Sequence, residues 1–98
     1  MLHIVNKSPL EKNTLATALH YATSGSLLLI EDGVYAATRG NAAEGAVREA
    51  LTRLKVYALA LDLQARGMAD RVIEGVQTIG YDGFVDLVVE HRNNQSWL

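Results

Sequence analysis

The sequence predicts a three-layer α/β/α sandwich built on a small, mainly parallel four-stranded sheet. Three observations lead there. Short β-favouring runs alternate four times with stretches of helical periodicity, and that order makes a parallel sheet with right-handed crossovers. The central run, Ser26 to Ile30, is apolar without alternating, which suits a strand buried on both faces. The runs are closed by glycine, proline or Asp-Gly turns, so each apolar segment is strand-length. With 98 residues the chain is one domain spanning 1–98, and it is too short for two.

The elements follow in order. Leu2 to Asn6 has the length and β-branched content of a first strand, and Lys7-Ser8-Pro9 ends it. Leu10 to Ala22 is the first helix, because Leu15, Ala18, Leu19 and Ala22 fall at i, i+3, i+4 and i+7, with Glu11, Lys12 and Asn13 toward water. Gly25 is placed to cap it. The anchor strand runs from Leu27 to Ile30 and stops at Glu31-Asp32-Gly33. A short helical turn from Gly33 to Thr38 is closed by Arg39-Gly40. Asn41 to Leu54 is the second long helix, with Val47, Ala50, Leu51 and Leu54 as its stripe. Lys55 to Ala60 forms a third strand, and Asp62 to Gly67 one helical turn capped by Asp62. Val76 to Ile79 is the fourth strand. A last helix from Asp82 to Arg92 repeats Phe84, Leu87, Val88 and His91, and Asn93 to Ser96 reads as a polar tail before Trp97-Leu98.

Composition narrows the function. The net charge is -2, with Lys and Arg scattered, which lacks the basic excess of phosphate-backbone binding and predicts no direct nucleic-acid contact. No apolar run approaches the roughly 20 residues of a membrane span, so a cytoplasmic protein without a membrane partner is expected. Cysteine is absent, which excludes disulfides, thiolate metal sites and any Cys nucleophile on this chain. Hydrophobic residues make up 49% of the chain, and leftover apolar area in so small a domain predicts subunit contacts.

Motifs for cofactor chemistry are missing. There is no Gly-x-Gly-x-x-Gly, no Walker loop and no Gly-x-Ser-x-Gly elbow, so no cofactor is expected. His3, His20 and His91 lie on different elements without a second histidine at metal-binding spacing; His3 and His91 read as hydrogen-bonded packing residues. What remains is the rim at the end of the anchor strand, where ligands and partners of open α/β sheets sit. Glu31 and Asp32 are adjacent carboxylates, but neighbours on a strand point to opposite faces, which weakens joint acid/base action. Asp32-Gly33 also suits a plain strand-to-helix turn. Arg66 and Arg71 are either anion binders or surface charges.

Several motifs in order resemble the DsrH/TusB family. They are Met1-Leu2-His3 with Asn6-Lys7-Ser8-Pro9; Leu29-Ile30-Glu31-Asp32-Gly33-Val34-Tyr35-Ala36-Ala37; Lys55-Val56-Tyr57-Ala58-Leu59; Asp62-Leu63-Gln64-Ala65-Arg66-Gly67; Tyr81-Asp82-Gly83-Phe84-Val85-Asp86-Leu87; and Gln95-Ser96-Trp97-Leu98. The resemblance implies a cytoplasmic sulfur-relay heterohexamer with DsrE/TusD-like and DsrF/TusC-like subunits, in which sulfur travels as a persulfide on a partner cysteine toward a downstream sulfur-carrier protein. Some family members carry a cysteine in the first helix, and by alignment Ala18 occupies that position here. The resemblance therefore implies a noncatalytic subunit. Asp32, Tyr35 and Arg66 on the rim, with Trp97 and Leu98 at the end, are the candidate partner contacts. Two physiological settings follow from the family, tRNA wobble-uridine 2-thiolation and oxidation of stored sulfur, and the Asn6-Lys7-Ser8-Pro9 and Ser96-Trp97-Leu98 segments look closer to DsrH. A ligand-binding or enzymatic domain using the Glu31-Asp32 rim and a homo-oligomeric structural protein are the alternatives.

Overall fold

The computed structural model describes residues 1–97. Its elements are β1 (Leu2–Val5), α1 (Thr14–Tyr21), β2 (Ser26–Leu29), a 3-10 helix (Glu31–Ala37), α2 (Glu44–Ala50), β3 (Lys55–Leu59), α3 (Ala60–Ala65), β4 (Gln77–Ile79), α4 (Tyr81–Glu90) and β5 (Asn94–Trp97). The sheet order is β4-β3-β2-β1-β5, and every neighbouring pair is parallel. The predicted parallel α/β sheet with flanking helices is therefore present, with five strands instead of four.

The extra strand is the segment read as a polar tail. Asn94, Gln95, Ser96 and Trp97 pair with Leu2, His3, Ile4 and Val5 in register. Three of its four side chains are exposed, so it carries no apolar signature of a strand. Backbone hydrogen bonds along the free edge of β1 hold it, and an edge strand needs little side-chain burial.

The anchor run is buried on both faces as the sequence predicts, since Leu27, Leu28 and Leu29 are each fully inaccessible. Alternation then divides the core in two. On one face Val5, Leu27, Leu29, Val56 and Ala58 pack with residues of α1, α2, α3 and the 3-10 helix. On the other, Leu2 and Leu28 meet Leu87 of α4, with Ile4, Tyr57, Ile79, Phe84 and Val88 around them. Among the described residues α4 is the one helix that covers the second face. Leu15, Ala18, Leu19 and Ala22 are all buried, so the stripe predicted for the first helix is its packing face.

Several element ends differ from expectation, each for a local reason. The first helix begins at Thr14 and not Leu10. The Ser8 carbonyl accepts from the Glu11 and Lys12 amides, and its hydroxyl accepts from Leu10 N–H at 3.2 Å, a turn that competes with helix. Asn41 delays α2 in the same way: its side-chain oxygen accepts from the Ala43 amide at 2.8 Å, and its amide donates back to the Tyr35 and Thr38 carbonyls. At its far end α2 gives way after Ala50 to turns in which Thr52 and Arg53 donate to carbonyls three residues back. Gly25 is no helix cap. The first helix ends on extended Ala22, and Gly25, at φ +101°, lets the chain pass the Met1 carbonyl, 2.3 Å from where a Cβ would stand. Asp62 does not cap α3, which starts at Ala60; its carboxylate serves another element.

Candidate functional rim at the carboxyl ends of the strands

Because all five strands are parallel, their carboxyl ends share one rim. Val5 is level with both Leu29 and Trp97, so the residues that follow β2 and those that end β5 flank the end of β1. The 3-10 helix turns across this rim directly after β2. Its entry is tight: Ile30 N–H donates to the Val5 carbonyl at 3.0 Å, and Glu31 takes φ +50°, which a non-glycine residue rarely adopts. Gly33 is not in the left-handed region. It is required because the helix lies on β1, where an added Cβ would stand 2.3 Å from the Val5 oxygen.

Asp32 and Arg66, both singled out from sequence, meet here. Arg66 Nε donates to Asp32 Oδ1 at 2.9 Å and its Nη2 lies 2.8 Å from the same oxygen. A further guanidinium nitrogen donates to the Asp62 carbonyl at 3.1 Å, with an Asp62 carboxylate oxygen 3.8 Å away. The other Asp62 oxygen accepts from the Glu31 amide at 2.7 Å, which fixes the strained entry to the 3-10 helix. The cluster is a closed network in which Arg66 serves two acids, so it offers no free guanidinium for an anion. Sequence reasoning gave Asp62 only a capping role and missed its place in this network, since its partner lies 31 positions away.

Tyr35 lies one turn beyond Asp32 in the 3-10 helix. Its carbonyl accepts from the Thr38 amide, the Thr38 hydroxyl at 2.7 Å and the Asn41 side chain at 3.0 Å. Trp97 stands at the end of β5, half-buried against its own domain. Its indole N–H donates to His3 Nδ1 at 3.2 Å, and its ring stacks with Tyr21 at 6.0 Å between centroids. His3 is the hydrogen-bonded packing residue expected of it. Burial, and secondarily the N-terminal ammonium, hold its pKa below 6.5. Leu98 lies outside the described residues. Ala18 is fully buried on α1 within the larger core, so a side chain at that position faces the interior and not the rim.

Among the described residues no group of three or more His, Cys, Asp or Glu could hold a metal, and no helix is long and apolar enough to cross a membrane. A family model described as "DsrH like protein" matches residues 7–94. The chain belongs to the DsrH/TusB family. It is 38% identical over 97 residues to Protein TusB of Escherichia coli O81 (strain ED1a), and 34% identical over 97 residues to Protein TusB of Buchnera aphidicola subsp. Baizongia pistaciae. Both alignments cover 99% of this chain and 100% of the relative. Two solved structures share the fold at lower identity. The ychN protein of E. coli superposes with a TM-score of 0.77 at 18% identity, and MTH1491 of Methanobacterium thermoautotrophicum, a protein of unknown function, with 0.68 at 21%. Each covers 97% of this chain, and the chain covers 97% and 95% of theirs.

Proposed function

We propose that this chain is a noncatalytic subunit of a cytoplasmic sulfur-relay heterohexamer, assembled with DsrE/TusD-like and DsrF/TusC-like subunits. The observation that carries the reading is membership of the DsrH/TusB family over almost the whole length in a chain without cysteine. Relay chemistry needs a thiolate that attacks the terminal sulfur of a donor persulfide, forming a new persulfide and releasing the donor thiolate. Met1 and Met68 are thioethers and cannot take that part. The sulfur-bearing cysteine therefore belongs to a partner, and this chain contributes shape and contact surface. Its exposed apolar side chains, among them Leu61 on α3 and Tyr81, Val85 and Val89 on α4, supply area for subunit packing.

The rim supports a contact role better than an enzymatic one. Asp32 and Arg66 neutralise each other in a fixed geometry, which suits a surface that presents shape to a partner. Tyr35, Trp97 and Leu98 complete the proposed contact set, and a downstream carrier docks against the assembled complex. The relatives named TusB favour delivery of sulfur toward tRNA wobble-uridine 2-thiolation over the sulfur-oxidation setting suggested by the chain's end segments. Match to a DsrH-like family model is the observation that keeps sulfur oxidation as the second reading.

The test is genetic and chemical. Deleting the gene for this chain is expected to abolish 2-thiolated wobble uridine in total tRNA, measured by mass spectrometry of nucleosides, and the cysteine-free chain is expected to restore it. Unchanged thiolation in the deletion strain contradicts the tRNA reading; unchanged thiolation together with lost oxidation of stored sulfur favours the second.

A further inference from the structure

A cleft that does not include Asp32 or Arg66 lies where the end of the 3-10 helix meets the turn at residues 68–71. It encloses about 280 Å³, with Tyr35, Leu10 and Met68 as apolar walls and Arg39 and Arg71 among its lining. The backbone places both arginines rigidly. Arg39 N–H donates to the Arg71 carbonyl at 2.9 Å, Ile73 N–H to Ala37 at 2.8 Å, and Thr38 and Val72 form an antiparallel bridge. Arg71 N–H is itself bonded to Met68 at 3.0 Å. One Arg39 nitrogen donates to the Asp70 backbone carbonyl at 3.1 Å, which orients the guanidinium and leaves its other N–H groups available.

Neither guanidinium has a carboxylate partner among the described residues; the ion pairs there belong to Arg48, Arg53 and Arg66. Asp70 gives Arg39 its carbonyl and not its carboxylate. Glu44, whose carboxylate also feels Arg39, is engaged by the Gly40 amide at 2.7 Å and by Arg48 at 2.8 Å, and these contacts hold its pKa low. Two arginines on a fixed backbone thus line one cleft with apolar walls, and neither forms an ion pair among the described residues, in a chain of net charge -2. Guanidinium groups match oxyanions, and a cleft of this size suits a small ligand.

We propose that this cleft binds a small organic oxyanion, a carboxylate or phosphate on a short apolar stem, with the charged group on Arg39 and Arg71 and the stem against Tyr35 and Met68. The inference does not rest on the relay reading, although Tyr35 is shared with the proposed contact set, because it concerns ligand binding by this chain alone.

Titration of the ¹⁵N-labelled chain with hexanoate, followed by amide chemical shifts, tests it. The expected result is saturable binding with shifts confined to residues 35–41 and 68–72. Arg71→Gln, on an exposed side chain, should weaken it by roughly tenfold through loss of a charge-assisted contact, whereas Arg71→Lys keeps part of the affinity. Arg39→Gln serves as the second variant, and retained spectral dispersion shows that each variant folds. Hexanol binding as tightly as hexanoate, shifts that never saturate or spread over the surface, or affinity unchanged from the original chain in both glutamine variants would overturn the proposal.

Discussion

At position 33 the chain has room for a hydrogen and nothing more. The sequence presents Gly33 after two acids and invites a reading as a flexible turn, whereas the demand is steric: the 3-10 helix lies against the Val5 carbonyl, and the unusual backbone angle belongs to Glu31. Nothing in the sequence distinguishes these, because the clash is with a strand 28 positions earlier. Gly33→Ala is therefore expected to destabilise the fold by roughly 2 kcal/mol, since the neighbouring atom is backbone and cannot swing aside. Urea unfolding checks this; an unchanged midpoint contradicts the packing described. His3 makes a second prediction. Its Nδ1 accepts the Trp97 indole proton, and its folded pKa lies below 6.5, its value in the unfolded chain. Below pH 6.5 the unfolded chain takes up a proton that the native state resists, so stability falls as pH drops and levels off only below the folded pKa. His3→Gln should flatten that part of the dependence in urea midpoints measured between about pH 7.5 and about pH 5. An equal slope in the variant would show that other groups carry it.

At the scale of elements, most of the strand and helix order was legible because β2 is a continuous apolar run and α1 and α4 carry helical stripes, and each contributes to a core. β5 was illegible for the converse reason. It contributes backbone to the edge of β1 and keeps most of its side chains in solvent, so only Trp97 signals a buried contact. The tryptophan ties the strand down through His3 and Tyr21. Trp97→Ala should accordingly loosen β5 before the rest of the sheet. Amide exchange at residues 94–97 is expected to accelerate while β2 and β3 stay protected. Retained protection at those four amides would mean that the β1 ladder suffices without the indole. The Asp32–Arg66 contact was half legible: both residues stood out in the sequence, but the Asp62 acceptor that locks them depends on how α3 packs beside the 3-10 helix.

For the whole molecule, the proposed subunit role rests on family membership in a chain without cysteine, with a neutralised rim and, among the described residues, one sheet face under α4 alone. Family membership was readable from ordered motifs, whereas partner contacts are not encoded in any local pattern of one chain. The central claim is that this chain works as an architectural subunit. Its most direct test is gentle affinity purification from the native host, followed by native mass spectrometry of the intact assembly and peptide identification of its members. The account predicts a heterohexamer with two copies each of this chain and two other small subunits, one of them bearing a reactive cysteine. Recovery of this chain alone, as a monomer or homo-oligomer, would contradict it.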